Sequence, residues 1–284
     1  MNLNLAANNY DFFVPDGASI DQALQRTTHL AVAAHQDDIE LMAYHGIAEC
    51  YQKKDKFFAA VVLSDGAGSP RTGKFANCTD EDMKKIRRQE QRDAASLGEY
   101  SFILQLNYSS ATIKDPQQSD PREDLAKVFA SLRPQTVYLH NIVDKHPTHL
   151  ATVLRCIDAL KASKDHHLPE RILGMEVWRN LDWLNDDQKI ILDTSPYPEL
   201  ARKLITVFDS QVSGGKSYDA AVIGRRLANA TFGESHAVDK VTSSNFAIDL
   251  KPLITDPSLT PAIYTQRKIQ DFMAAATSLI EKLS

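Results

Sequence analysis

The chain has 284 residues, 43% of them hydrophobic and 24% charged, with a negative mean hydropathy; these proportions exclude a disordered chain and fit a soluble globular protein. A formal net charge of -5 excludes a general electrostatic attraction to nucleic acid or to an anionic membrane. The length accommodates one large core or two domains. We expect a single domain over 1–284: an N-terminal segment at 1–27, a core at 28–165 and a C-terminal elaboration at 166–284.

Residues 1–17 are Asn-rich and punctuated by Pro15 and Gly17, which suggests a partly ordered segment without the basic and apolar regions of a secretory signal. No apolar run approaches membrane-spanning length. The three cysteines, Cys50, Cys78 and Cys156, are odd in number and far apart. They read as reduced thiols of a cytoplasmic protein, with Cys50 and Cys156 on helical apolar faces.

In chain order the pattern predicts a short helix over Ile20 to Arg26, a buried strand from His29 ending at His35, and a helix from Asp37 to about Lys53. Phe57 to Leu63 is a second buried strand. It opens into a glycine-rich loop, Ser64 to Gly73, that lacks the GxxxxGK[ST] and GxGxxG spacings of a phosphate cradle. A mobile substrate loop is the better reading, and nucleotide binding a weak alternative. A charged helix follows over Asp80 to Leu97, capped by Thr79 or Asp80 and ended by Gly98.

Ser101 to Leu106 (strand), Asp120 to Leu132 (helix) and Thr136 to His140 (strand) continue the alternation, and Pro147 suits the first turn of a helix running on to Ser163. Gly174 to Trp178 and Lys189 to Asp193 are read as strands, arranged as a hairpin across Leu181 to Asp187. Glu199 to Gln211 and Ala220 to Ala230 are read as helices, and Asn245 to Leu250 as a last strand. An amphipathic helix over about Gln266 to Lys282 has Ile269, Phe272, Met273, Ala276 and Ile280 on one face. Strands alternating with helices imply an α/β fold: a Rossmann-like, doubly wound, mostly parallel sheet with helices on both faces.

The first strand ends in His35-Gln-Asp-Asp38, at the edge where open α/β sheets bind ligands. Two adjacent carboxylates repel one another unless a cation or hydrogen bonds offset the repulsion. Taken alone, metal binding or catalysis stands level with a plain helix cap here, since Asp is favoured at a helix N-terminus. A second cluster, His146-Pro-Thr-His149, sits at the end of another strand, and two clusters on one sheet edge shift the balance toward metal. The implied ligands are His35, Asp38 and His149, with a fourth position open to water, the stoichiometry of a catalytic zinc site.

The stretches Ala34-His-Gln-Asp-Asp-Ile-Glu40 and Asp144-Lys-His-Pro-Thr-His149 resemble the AHPDD and HPDH signatures of the LmbE-like (PIG-L) metal-dependent N-deacetylases. Weaker likenesses lie at Arg87-x-x-Glu90 leading to Leu97-Gly98, at Glu176-Val-Trp178 and at Ser210-Gln211, so that the resemblance spans residues 28 to about 250. It implies His35, Asp38 and His149 as ligands of Zn²⁺ (or another divalent metal such as Fe²⁺), Asp37 as general base, a protonated His146 as oxyanion stabiliser, and Arg87 as a substrate-hydroxyl contact. The implied activity is removal of an N-acetyl group from an N-acetylglucosaminyl small molecule or glycoconjugate by metal-activated water.

This chain departs from the signature in three places. Gln36 replaces a proline, Tyr44-His45 stands where relatives carry two glycines, and Thr148 replaces the aspartate between the paired histidines, which leaves Asp144 as the nearest partner for His146. His45 reads as a packed or surface histidine, His236 and His166-His167 as loop residues. Trp178, Trp183 and Tyr108 are either core or a sugar-stacking wall. The competing functions are an amidase acting on a thiol conjugate, or a metal- and sugar-binding protein of the same fold with weakened turnover. Small-molecule binding without nucleic acid or membrane partners is expected, and homo-oligomerisation stays open.

Overall fold

The computed structural model describes residues 3–214, 216 and 218–284. Along the chain run β1 (Asp11–Phe13), α1 (Ile20–Arg26), β2 (His29–Ala33), α2 (Asp38–Met42), α3 (Tyr44–Cys50), β3 (Phe58–Ser64), α4 (Asp80–Leu97) and β4 (Ile103–Tyr108). Next come α5 (Ser110–Lys114), α6 (Asp120–Ser131), β5 (Thr136–His140), α7 (Pro147–Ser163), β6 (Arg171–Met175) and β7 (Ile190–Asp193). The last elements are α8 (Pro198–Thr206), α9 (Asp209–Val212), α10 (Tyr218–Phe232), β8 (Ser244–Asp249), α11 (Pro252–Thr255) and α12 (Pro261–Leu283).

One sheet carries the strands in the order β1-β4-β3-β2-β5-β6-β8-β7. The five strands from β4 to β6 are parallel, and β1, β8 and β7 are joined antiparallel at the edges. Both faces are covered, so each central strand is apolar throughout instead of alternating. Alternate residues of one strand enter different cores: Leu30 and Val32 of β2 pack with Val61, Leu104 and Val137 on one face, whereas Ala31 and Ala33 pack with Ala60, Val62 and Tyr138 on the other. Each such Val or Leu side chain contributes about 1.5–3 kcal/mol when fully buried.

The order of connection reverses between β2 and β5, because the chain moves outward through β3 and β4 and then returns to build β5 and β6 on the other side. That reversal opens a crevice at the carboxyl ends of β2 and β5. Both histidine clusters lie there.

Several expected boundaries move. The helix predicted from Asp37 to Lys53 is two helices, because the backbone leaves the helical region at Ala43 (φ -106°, ψ 20°). Tyr44 then donates its hydroxyl to the carbonyls of Pro196 and Tyr197 at 2.8 and 2.7 Å. The predicted Glu199–Gln211 helix likewise divides at Phe208 (φ -81°, ψ 59°). The expected hairpin of Gly174–Trp178 with Lys189–Asp193 does not form, since β8 inserts between β6 and β7 and pairs antiparallel with both. The N-terminal segment is tied down through β1 on β4 and through the Ala6 and Ala7 amides, which donate to Asp124 at 2.7 and 2.9 Å. No helix among the described residues is long and apolar enough to cross a membrane.

Candidate metal centre

The site begins where β2 stops. The Ala34 amide donates to His140 Nε2 at 2.9 Å, which ties the end of β2 to the end of β5. The chain then turns sharply. Asp37 has φ +83°, in the left-handed region that residues other than glycine rarely enter. Its amide donates to Gln91 Oε1 (3.2 Å), and Arg87 Nη2 donates to its Oδ2 (3.0 Å) and to the Gln36 carbonyl. Gln36, where the signature has proline, donates instead to the Ser64 carbonyl (3.1 Å) and Gln105 Oε1 (3.2 Å). Gly66 (φ +77°) packs so closely that an added Cβ would lie 2.8 Å from Arg87 Cβ and 2.9 Å from Gln36 Oε1. The glycine of the loop thus permits close packing against the β2 turn.

With the turn held, Asp38 opens α2 and accepts from the His35 amide at 2.8 Å. His149 arrives from the first turn of α7, whose start is set by Pro147. His35 Nδ1 lies 3.1 Å from Asp38 Oδ2 and 3.1 Å from His149 Nε2, and His149 Nε2 lies 3.2 Å from Asp38 Oδ2. Three ligands of a tetrahedral zinc, bound at 2.0–2.1 Å, stand about 3.3 Å apart. The triangle therefore matches what a small divalent cation requires of its donors.

The chemistry of the donors agrees with this geometry. His149 Nδ1 lies 3.2 Å from Asp144 Oδ2, so its proton belongs on that side and Nε2 presents a lone pair to His35 Nδ1 and Asp38 Oδ2. Lone pairs and a carboxylate facing one another need a cation among them. In the metal-free protein a proton supplies that charge: burial opposes it, but the carboxylates of Asp38 and Asp144 outweigh burial and raise His149 to about 10. Burial likewise disfavours ionised Asp38, yet His149 and His140 hold its carboxyl well below the usual range. Asp37 moves the other way. Burial raises it, Asp38 adds to the rise, and Arg87 opposes both.

His140, which ends β5 as His35 follows β2, is not among the residues that the sequence marks as ligands. It stacks on His149 with ring centroids 3.9 Å apart, and its Nε2 is 3.4 Å from Asp38 Oδ2. The shared position at a strand end was the available signal. His146 sits beside His35 and His149, with ring centroids 4.9 and 4.6 Å away. Its Nδ1 is buried without a hydrogen-bond partner, because the Asp144 carboxylate engages the His146 backbone amide and the His149 ring instead of the His146 ring. Burial lowers His146 to about 4, and His149 and His35 add to the fall.

A cavity of about 410 Å³ opens over the triangle, lined among others by Asp37, Ser69, Thr148, Trp178, Lys216 and Tyr218. Lys216 Nζ stands 5.4 Å over the Trp178 ring. Trp183 instead donates to Glu176, and Tyr108 to Asp124, away from the cavity. Arg87 is buried against Asp37 and Glu90, and Glu90 in turn accepts from the amide and hydroxyl of Ser210 at 2.7 Å each. His45 is buried, its Nδ1 2.8 Å from the Tyr138 hydroxyl, and His236 is exposed.

Solved structures share the fold. The conserved protein TT1542 from Thermus thermophilus is 18% identical, with a TM-score of 0.61 over 82% of this chain and 98% of its own. The N,N'-diacetylchitobiose deacetylase of Pyrococcus horikoshii is 19% identical, with a TM-score of 0.62 over 82% of this chain and 88% of its own. GalB, the 4-carboxy-2-hydroxymuconate hydratase of Pseudomonas putida, is 18% identical, with a TM-score of 0.59 over 83% and 98%. No curated protein matches the chain in sequence. Residues 30–160 match the family described as PIG-L: GlcNAc-PI de-N-acetylase, a span that runs from β2 into α7 and includes His35, Asp38 and His149.

Proposed function

We propose that the protein is a zinc-dependent N-deacetylase acting on an N-acetylglucosaminyl-type small molecule or glycoconjugate. The carrying observation is the triangle of His35, Asp38 and His149 with the Asp37 carboxylate beside it at the floor of one cavity. A zinc ion held by these three residues supplies Lewis-acid polarisation of the amide carbonyl and lowers the pKa of water toward 7. Fe²⁺ accepts the same nitrogen and oxygen donors.

The chain's own groups do the rest. Asp37, whose carboxyl burial raises into the range of a general base, takes a proton from the attacking water and returns it to the leaving amine. Arg87 and Gln91 hold Asp37 in its left-handed turn, so the carboxylate meets the substrate without reorganising. His146, as a neutral imidazole, stabilises the oxyanion by donating a hydrogen bond. Trp178 offers a flat apolar wall for a sugar ring, and the cavity has the dimensions of a small glycoconjugate.

Purified protein loaded with Zn²⁺ should release acetate and free amine from N-acetylglucosamine derivatives. Asp37→Ala should lower that rate by about 10²–10⁴-fold and still bind metal. Failure to cleave any sugar amide above the Asp37→Ala background overturns the assignment. A second reading rests on the unpartnered Nδ1 of His146 beside Thr148: a metal- and sugar-binding protein with weakened turnover, which predicts metal and ligand binding in the same assay without acetate.

A further inference from the structure

The last helix is unlike the others. α12 is fixed to the body over its first half, where the Tyr264 hydroxyl donates to the Asp249 carbonyl at 2.6 Å and, at the surface, Gln188 Nε2 donates to Asp271 Oδ2 at 2.9 Å. From residue 269 to residue 284 every residue is exposed. An isolated helix of this length is marginal in water, and helical stability in proteins comes mainly from packing of an apolar face. Here that face exists and is bare: Ile269, Phe272, Met273, Leu279, Ile280 and Leu283 are between 40% and 77% exposed. The stripe continues into a groove of about 750 Å³ whose other wall is Leu150 and Leu154 of α7.

We propose that this face is a homodimer interface, with α12 of one copy lying antiparallel along α12 and in the α7–α12 groove of a second. Three observations select a second copy. The first is area: the six exposed residues, each with a full accessible surface of roughly 200 Å², leave about 700 Å² of apolar face. With the groove walls this approaches the ~800 Å² per partner of a standard interface, and it exceeds the largest patches usual on monomers.

The second is self-complementarity, which a two-fold contact requires. An antiparallel pair centred on Ala276 sets Ile269 against Leu283, Phe272 against Ile280 and Met273 against Leu279, with Ala276 on the axis where small side chains let the backbones approach. The third is charge. Arg267, Lys268 and Lys282 are mixed with Asp271 and Glu281, so the helix lacks the one-sided basic face of a membrane-surface helix.

Full-length protein should run as a dimer by light scattering at micromolar concentration. Ile280→Glu should weaken dimerisation at least 100-fold without changing the far-UV circular dichroism. Ala276→Cys, made with Cys78→Ser to remove the half-buried native thiol, should form an intermolecular disulfide under mild oxidation, with a yield that falls when Ile280→Glu is added. A monomer at 100 μM, or a dimer that resists Ile280→Glu and leaves the thiol introduced by Ala276→Cys uncrosslinked, overturns the proposal. So does a monomer that binds vesicles of phosphatidylcholine and phosphatidylglycerol in an Ile280-dependent way, which would give the face to a membrane.

Discussion

Asp144→Asn separates the positioning of His149, the proposed metal ligand, from the ligand itself. Asp144 Oδ2 lies 3.2 Å from His149 Nδ1 and accepts from the Val177 and Trp178 amides at 3.0 and 3.4 Å, while Oδ1 accepts from the His146 amide at 3.2 Å. Burial disfavours its charge, but the His149 hydrogen bond outweighs burial and lowers the carboxyl to about 2. An asparagine can place its oxygen at the Oδ2 position, but its NH₂ then faces the His146 N–H, and the negative charge behind His149 is gone. Loss of such an outer partner typically weakens metal binding by about 10–100-fold, or about 1.4–2.7 kcal/mol. Competition against a chromophoric chelator would measure the change, with circular dichroism as a control on folding. A well-folded Asp144→Asn whose Zn²⁺ affinity stays within twofold of the parent would refute the view that Asp144 orients His149 for a cation.

The remaining predictions concern stability. Arg87→Met leaves the Asp37 and Glu90 carboxylates buried without their cation, and urea unfolding should show a loss of about 3–5 kcal/mol; a loss under about 1 kcal/mol counts against a supporting role. Gly46→Ala puts a Cβ 2.6 Å from Tyr138 Cε2 and 2.9 Å from Phe58 Cε2, an overpacking expected to cost about 1–3 kcal/mol, and an unchanged melting temperature would contradict the packing described. Burial lowers His29 to about 4, against the opposing charge of Glu49, so the unfolded chain binds its proton first as the pH falls. Its contribution is therefore intact above about pH 6.5 and is lost progressively toward pH 4, by up to about 3 kcal/mol. His29→Gln should flatten that limb of the stability curve relative to the parent, and identical pH profiles for the two proteins would exclude it.

Much of the fold was legible because the central strands of a parallel sheet are apolar on both faces and so stand out as uninterrupted runs; Phe58–Ser64 and Thr136–His140 were found within a residue at each end. The same reasoning failed where the determining contact is distant in sequence. Nothing local at Ala43 marks a helix break, which coincides with the Tyr44 hydroxyl reaching Pro196 and Tyr197. Residues 174–193 looked like a hairpin because the strand that separates its two arms, β8, lies some fifty residues further on. β1 went unseen because three residues carry no periodicity.

The site divides along the same line. His35, Asp38 and His149 were readable because β2 and β5 each end in chemistry, and a doubly wound sheet must bring those ends to one edge. Which groups support them was not readable. Gln91 and Arg87, on the outer helix α4, secure a left-handed aspartate fifty residues earlier in the chain; Asp144 serves His149 instead of His146; His140 stacks beneath the triangle. What the sequence alone determined is that His35, Asp38 and His149 share one sheet edge, since period, strand ends and turn residues are local properties. Only the tertiary structure decided the 3.1–3.2 Å spacing of the donors, the protonation each environment favours and the bare face left along α12, because those depend on how far each group is buried and on what the fold packs against it.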